Sequence, residues 1–401
     1  MRRAPATPRA PALLRAAALL RAAVAALLLP CAALAASPEP MLSRVVAAIE
    51  ANQLALALQR VEELIAAHPN FSLGHLIRGD LLLARSRPLA TFGNVVKTVP
   101  QEKVDDLRAE ALVRLRALRD RPESGRLPRS ILQLHAGQKH ALLVDSRRSR
   151  LYVFENADGR PQYVADYYVT LGKGGVDKAR EGDQKTPIGV YHVTANLPRQ
   201  KLSDFYGAGA YPINYPNEWD RSLGRNGYGI WVHGTPPDTY SRPPRASDGC
   251  IVLANPDLLS VGRFMQVGMT PVIIAGEVEW ADAAAVQLER ETLAAALQRW
   301  RLDWESRDAE RYLSHYSPQF NAAGQDLGAW AAHKRAVNAG KSWIRVGLAQ
   351  VSMLRYPNHA NFVVVTFAQQ YRSNNLSNTM RKRQYWQKED GRWRIFYEGP
   401  A

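Results

Sequence analysis

The hydrophobic period changes twice along this chain, and that constrains its fold more than any other feature. From residue 41 to about 120, apolar side chains recur at helical spacing: Val45, Val46 and Ile49, then Leu54, Leu58, Val61, Leu64 and Ile65. Pro69-Asn70 breaks this run, Phe71, Leu76, Leu81 and Leu83 begin another, and a third helix of mixed charge is expected over residues 104–118. Residues 121–129 carry Pro122, Gly125 and Pro128 and read as a linker, after which the period drops to two. Residues 141–145 and 150–154 bracket the polar turn Ser146-Arg147-Arg148-Ser149 as a hairpin. Further short strands are expected at 163–171, 189–194, 229–233 and 270–275. A helix is expected from Ala281 to about Trp304, then short helical pieces and two strand-like stretches, 361–371 and 381–397. A chain of 401 residues with these changes predicts several domains: an α-helical N-terminal module, a mostly β middle domain and an α+β C-terminal domain.

Composition narrows the class. A hydrophobic fraction of 46% with 22% charged residues is globular, unlike a disordered chain or a multi-span membrane protein. The formal charge is +15, and five of the positive charges (Arg2, Arg3, Arg9, Arg15 and Arg21) lie in the first 36 residues, which hold no acid. The remaining excess, about +10, fits a polyanionic neighbour: nucleic acid, an anionic membrane face or an acidic cell-wall polymer. No nucleic-acid recognition motif accompanies it. The arginine-bearing start leads into the apolar run 22–34, which ends in Ala33-Leu34-Ala35. Residues 1–36 therefore read as a secretory signal peptide, with export to the periplasm as the expected outcome. The competing reading is an uncleaved anchor, but the run is shorter than the ~20 residues that span a bilayer. Cys31, preceded by Pro30, is a poor lipid-attachment site and leaves with the signal. One cysteine, Cys250, then remains. A lone thiol in an oxidising compartment is either buried or chemically used.

The segment that carries chemistry is Gly229-Ile230-Trp231-Val232-His233-Gly234-Thr235, followed by Ser247-Asp248-Gly249-Cys250-Ile251-Val252-Leu253. His233 ends an apolar strand-like run, and Cys250 sits between a glycine and another apolar run. Both side chains thus fall at the ends of adjacent elements, where a scaffold presents them to a cleft. Acyl transfer needs a nucleophile, a base and donors for the developing oxyanion. Cys250 and His233 supply the first two, and the backbone amides of Gly249 and Cys250 are candidate donors. Against this stands the reading of Cys250 as a small buried hydrophobe. A metal site finds little support, because no second cysteine or spaced histidine accompanies it.

These strings resemble the YkuD-type L,D-transpeptidase catalytic domain, whose signature is a strand-borne His followed by Ser/Thr-His-Gly-Cys and an apolar residue. A second block, Gly182-Asp183-Gln184-Lys185-Thr186-Pro187-Ile188-Gly189-Val190-Tyr191, also matches, and the resemblance covers about residues 129–278. It implies a peptidoglycan-modifying enzyme with no metal or organic cofactor. Cys250 would attack the carbonyl between the third, diamino acid residue of the stem peptide and the following D-alanine. His233 would accept and later return the proton, and a thioester would pass to an amine acceptor. With water as acceptor the same chemistry is L,D-carboxypeptidase trimming of tetrapeptide to tripeptide. Release of wall-linked protein, or an inactive wall-binding scaffold, are further alternatives. Residues 281–401, one helix and curved strands ending in Gly391-Arg392-Trp393-Arg394-Ile395, resemble the NTF2-like fold, an accessory domain of unknown ligand. With the helical module at 37–125, a candidate dimerisation surface, the order is similar to that of cell-shape-determining L,D-carboxypeptidases.

Two positions depart from the family pattern: Asp248 replaces the His before Gly, and Val252 replaces the Arg or Asn two residues past the cysteine. An ionised Asp248 would raise the thiol pKa unless it turns away to pair with Arg242 or Arg245. With Ser247 it joins the catalytic candidates. Arg242 and Arg245 are candidate ligands for the stem carboxylate, or else part of a solvated loop. Gly234 and Tyr215 are further substrate-binding candidates. Tyr211, Tyr215 and Trp219 either line the cleft or pack into the core.

Overall fold

The computed structural model describes residues 37–94, 100–120, 123, 125–322, 324–359 and 361–401. The expected signal peptide, with Cys31, and part of the expected linker lie outside these residues. Four helices come first: α1 (Glu39–Glu50), α2 (Leu54–Ala67), α3 (Ser72–Ala84) and α4 (Gln101–Arg119). They bury one stripe each, Leu42, Val45 and Ala48 on α1 and Ala57, Val61 and Leu64 on α2, closed by Phe71 and Ile77. The fourth helix departs from this pattern. Among its buried residues are Glu110 and Arg114, two charges that a sequence reading assigns to solvent.

The middle of the chain is built from short strands. In order they are β1 (Arg126–Pro128), β2 (Ile131–Gln133), β3 (His140–Asp145), β4 (Arg150–Ala157), β5 (Arg160–Tyr168), β6 (Leu171–Gly172), β7 (Gly189–His192), β8 (Leu197–Pro198) and β9 (Gly209–Pro212). After α5 (Glu218–Ser222) come β10 (Trp231–His233), β11 (Arg245–Ser247) and β12 (Ile251–Val252), then α6 (Asn255–Gly262), β13 (Pro271–Ala275) and β14 (Trp280–Asp282). One sheet has the order β5-β4-β3-β13-β7, and a second has the order β12-β10-β9-β8. Every residue of β13, and all of β3 after His140, is buried; both strands are covered on two faces, which explains their unbroken apolar runs. The expected 141–154 hairpin is β3 paired antiparallel with β4.

The C-terminal region opens with α7 (Ala283–Ser306) and α8 (Ala309–Leu313), passes the small hairpin β15 (Asn321–Ala322) and β16 (Gln325–Asp326), and continues through α9 (Leu327–Ala339). Four long antiparallel strands follow: β17 (Ile344–Arg355), β18 (Phe362–Ser373), β19 (Ser377–Glu389) and β20 (Arg392–Pro400). They curve around an aromatic core that holds Trp300, Trp304, Tyr312, Tyr316, Phe367 and Trp386. Short helical pieces were expected where β17 runs. β2, which lies within the stretch 129–278, hydrogen bonds to β17 and so extends the C-terminal sheet to five strands. No helix among the described residues is long and apolar enough to cross a membrane.

Candidate active site

Parallel pairing of β10 with β12 builds the site. His233 is the register partner of Val252, and registered neighbours share a face of the sheet. Cys250 immediately precedes β12, and the Trp231 amide of β10 acts on its sulfur. The Leu253 amide donates to the His233 carbonyl at 2.9 Å, which fixes the two strand ends against each other. The structure thus brings together the two chain segments that carry Cys250 and His233.

The tautomer of the base is set locally. Nδ1 of His233 lies 2.7 Å from the Gly234 carbonyl oxygen. A carbonyl only accepts, so Nδ1 carries the proton and Nε2 keeps the lone pair. The imidazole is 1% exposed. Burial pulls its pKa down to about 4, with the Arg242 charge acting in the same direction against the Gly234 hydrogen bond. It is a neutral base at physiological pH. Cys250 is half-buried, its Sγ 3.3 Å from the Gly229 carbonyl, to which the thiol donates. Burial pushes the thiol up; the Trp231 amide opposes this, Asp248 adds to it, and Arg242 and Lys178 pull the other way. The resting pair is therefore thiol and imidazole rather than thiolate and imidazolium.

The turn before Cys250 is held by hydroxyls. Ser247 Oγ donates to the Cys250 carbonyl at 2.7 Å and accepts the Gly249 amide at 3.2 Å, so Ser247 staples the turn rather than reaching a substrate. The Gly249 amide, an expected oxyanion donor, is thus already engaged in the resting structure. Gly249 itself is required by φ of +122° and by space: a Cβ there would sit 2.7 Å from the Lys185 carbonyl. Thr186 Oγ1 donates to the Gly249 carbonyl at 2.9 Å and accepts from the Gly172 amide at 2.9 Å. The second sequence block therefore buttresses the turn that carries Cys250. Asp183 organises that block by accepting from the Lys178 ammonium and the Ala179, Arg180 and Lys185 amides, which hold its carboxyl well below the usual range despite partial burial.

Other expectations need correction. Asp248 pairs with neither Arg242 nor Arg245. Pairing of β6 with β11 brings Lys173 alongside, and its ammonium lies 3.2 Å from the exposed Asp248 carboxylate, with Gln184 Nε2 at 3.4 Å. Tyr215 does not line the cleft: it is 6% exposed and its hydroxyl donates to the Asn226 carbonyl at 3.0 Å, a core role in which its ring packs on Tyr191. Tyr211 is partly buried against the same core. Trp219 packs among Tyr356, Phe362, Tyr385 and Phe396, where the middle and C-terminal regions meet. Gly234 serves the base rather than a substrate, and a Cβ there would lie 2.1 Å from Asn255 Oδ1. Arg245 is exposed, with its guanidinium beside Gly175. Arg242 alone of the two arginines comes to the site: it lies 4.9 Å from the centre of the Phe205 ring, and its charge acts on both His233 and Cys250.

Two residues of the cleft were missed. Tyr206 meets the His233 ring edge-on at 5.1 Å and Phe205 lies 5.8 Å from it, both on the segment between β8 and β9. Phe205 remains 48% exposed. Nothing in Asp204-Phe205-Tyr206-Gly207 signals this, because the contact depends on how β9 pairs with β10. Among the described residues, no group of three or more His, Cys, Asp or Glu is placed to hold a metal ion.

Comparison with known proteins defines the class. Residues 139–274 match the sequence model of the L,D-transpeptidase catalytic domain, and residues 292–399 that of the Cds6 C-terminal NTF2-like domain. The chain therefore carries an L,D-transpeptidase catalytic domain followed by an NTF2-like domain, with helices before them. Among solved structures it is similar to Bd1075 of Bdellovibrio bacteriovorus, at 29% identity and a TM-score of 0.61 over 69% of this chain and 98% of that one. It also shares the fold of Pgp2, a helical cell shape determining protein of Campylobacter jejuni, at 24% identity and a TM-score of 0.59 over 68% of this chain and 95% of that one. A search of curated proteins found no match.

Proposed function

We propose that the chain is an exported peptidoglycan enzyme in which Cys250 cleaves the bond between the diamino acid and the following D-alanine of the stem peptide and passes the acyl group to an amine. The observation that carries this reading is a neutral His233, its Nδ1 proton pinned on the Gly234 carbonyl, at the end of a strand paired with the one that Cys250, a half-buried thiol, immediately precedes. As Sγ attacks the carbonyl carbon, its proton passes to His233 Nε2. The Cys250 amide is the first candidate to receive the developing negative charge; the Gly249 amide can join only by leaving Ser247 Oγ. Collapse of the tetrahedral intermediate breaks the C–N bond, and the departing D-alanine amine takes the proton from His233. The thioester is then attacked by an incoming amine, with His233 again receiving a proton and returning it to sulfur.

The likeness to a cell shape protein across most of the chain favours a second reading, in which water takes the amine's place and the product is a tripeptide. Incubation with tetrapeptide muropeptides separates the two: a dimer joined through two diamino acids means transfer, tripeptide alone means hydrolysis. Cys250→Ala is expected to abolish either product, and full activity in that variant would refute the assignment. Because the His233 pKa lies at about 4, the acid limb of kcat/KM is expected near pH 4 rather than near the 6.5 of free histidine. A limb at 6–7 would mean that the imidazole is not the buried neutral base described above. Export through residues 1–36 is tested by N-terminal sequencing of protein recovered from the periplasm, where a start near Ser37 is expected.

A further inference from the structure

The segment that joins the base to the nucleophile strand, residues 234–244, is held from behind by the helices. The Tyr240 ring packs on His68 at 5.1 Å and Phe71 at 5.5 Å, both of the helical module. Ser241 Oγ donates to Glu110 Oε1 at 2.7 Å. Glu110 cannot drift, for it is 2% exposed and accepts from Arg114 Nε at 2.8 Å. The Arg242 carbonyl accepts from Tyr168 Oη at 2.7 Å and Thr170 Oγ1 at 3.0 Å, and the Tyr168 ring lies 3.9 Å from the Arg114 guanidinium. Three successive residues are thus fixed, two of them directly by the helical module. The side chain of the third reaches the cleft. The Arg242 guanidinium stands over Phe205, whose ring neighbours His233, and among the described residues it forms no ion pair. A half-buried cation that feels the Asp248 charge but closes no ion pair among the described residues, at the mouth of an acyl-transfer cleft, is suited to a substrate carboxylate.

We infer that the helical module is a working wall of this active site: Glu110, acting through Ser241, is a positioning residue that holds Arg242 where it meets the carboxylate of the bound peptide. The inference rests on the stem-peptide reading for its substrate, though not for its geometry. Ser241→Ala tests it gently, because Glu110 keeps its Arg114 partner and no buried charge is left alone. With a tetrapeptide muropeptide, this variant is expected to raise KM about tenfold, the range for a hydrogen bond to a charged group, and to leave kcat within about twofold. The pH profile of Cys250 alkylation by iodoacetamide should move to higher pH as the Arg242 charge leaves the sulfur. Ser241→Thr should restore both. Arg242→Ala should show the same two changes, and the double variant should be no worse than Arg242→Ala alone. Wild-type KM together with a wild-type alkylation profile in Ser241→Ala, or additive losses in the double variant, would overturn the inference. If the wild-type protein turns over no stem peptide, the substrate reading fails while the alkylation arm still decides the positioning.

Discussion

The catalytic domain is flanked by two modules, and its contacts with the two mix charge and aromatic packing differently. Against the helices it sets Arg150 and the rings of Tyr168 and Tyr240. Within the helical module Arg114 is 2% exposed and bridges Glu39 and Glu110, while from the catalytic domain Arg150 reaches Glu39 at 3.1 Å and also pairs with Asp166. Burial alone would lower the Arg114 pKa, yet the two carboxylates hold it well above the usual arginine value. Against the C-terminal domain it presents an aromatic side chain. Trp219 stacks on Tyr385 at 5.9 Å and touches Phe362 at 4.7 Å, with the Arg383–Glu218 pair close by. Apolar contacts tolerate small shifts, whereas buried ion pairs demand fixed geometry and are costly when one partner is missing. The charged interface is also the one that reaches the active-site segment.

The largest expected effect comes from removing the cation at the centre of the charged interface. Arg114→Ala leaves the buried Glu110 without its cation, while Glu39 keeps Arg150, and is expected to cost about 3–5 kcal/mol, read as a drop in the urea midpoint. Added salt should recover little of this, because buried charges are poorly screened. A loss below about 1 kcal/mol would mean that the interface is wetter than the geometry shows. Trp219→Ala is expected to cost somewhat less, about 2–3 kcal/mol, since the indole is only partly buried. That loss should be nearly the same at low and high salt. A clear dependence on salt would give the Arg383–Glu218 pair, rather than the rings, the leading part.

The same contrast explains what could be read in advance. The strand end at His233 and the turn before Cys250 were legible because glycines flank the apolar runs there. The 141–154 hairpin was legible because two apolar runs bracket the polar turn at 146–149, and the structure pairs them antiparallel. Glu110 and Arg114 were not: on a helix of mixed charge, a buried ion pair looks like a solvated face until the partners Glu39, Ser241 and Tyr168 arrive from elsewhere in the chain. β17 was missed because a bulge between Ala349 and Ser352, with Gln350 at φ of +52°, breaks the period of two midway. Tyr215 was misplaced because an aromatic among prolines reads alike in a cleft and in a core. Lys173 carries no local sign that it will neutralise Asp248; the parallel pairing of β6 with β11 supplies that.

The last expected effect is the most specific to the charged interface. Asp257, in the first turn of α6, is buried, and burial raises its pKa to about 7, against the pull of Arg114 and Arg150. An unfolded aspartate titrates near 3.9. Below about pH 4 the carboxyl is protonated in both states and costs nothing. Between about pH 4 and 7 the unfolded chain releases the proton while the folded protein keeps it, so stability falls as pH rises. Above about pH 7 the folded carboxyl ionises too, and the cost levels off. Asp257→Asn removes this term, so relative to the wild-type protein it should gain progressively between about pH 4 and 7, hold that gain at pH 8, and gain almost nothing at pH 4. Melting curves of both proteins across that range give the difference directly. A difference that stays constant with pH would show that the Asp257 carboxyl is ionised throughout, compensated by Arg114 and Arg150, and the charged interface would then hold one more permanent anion than it does here.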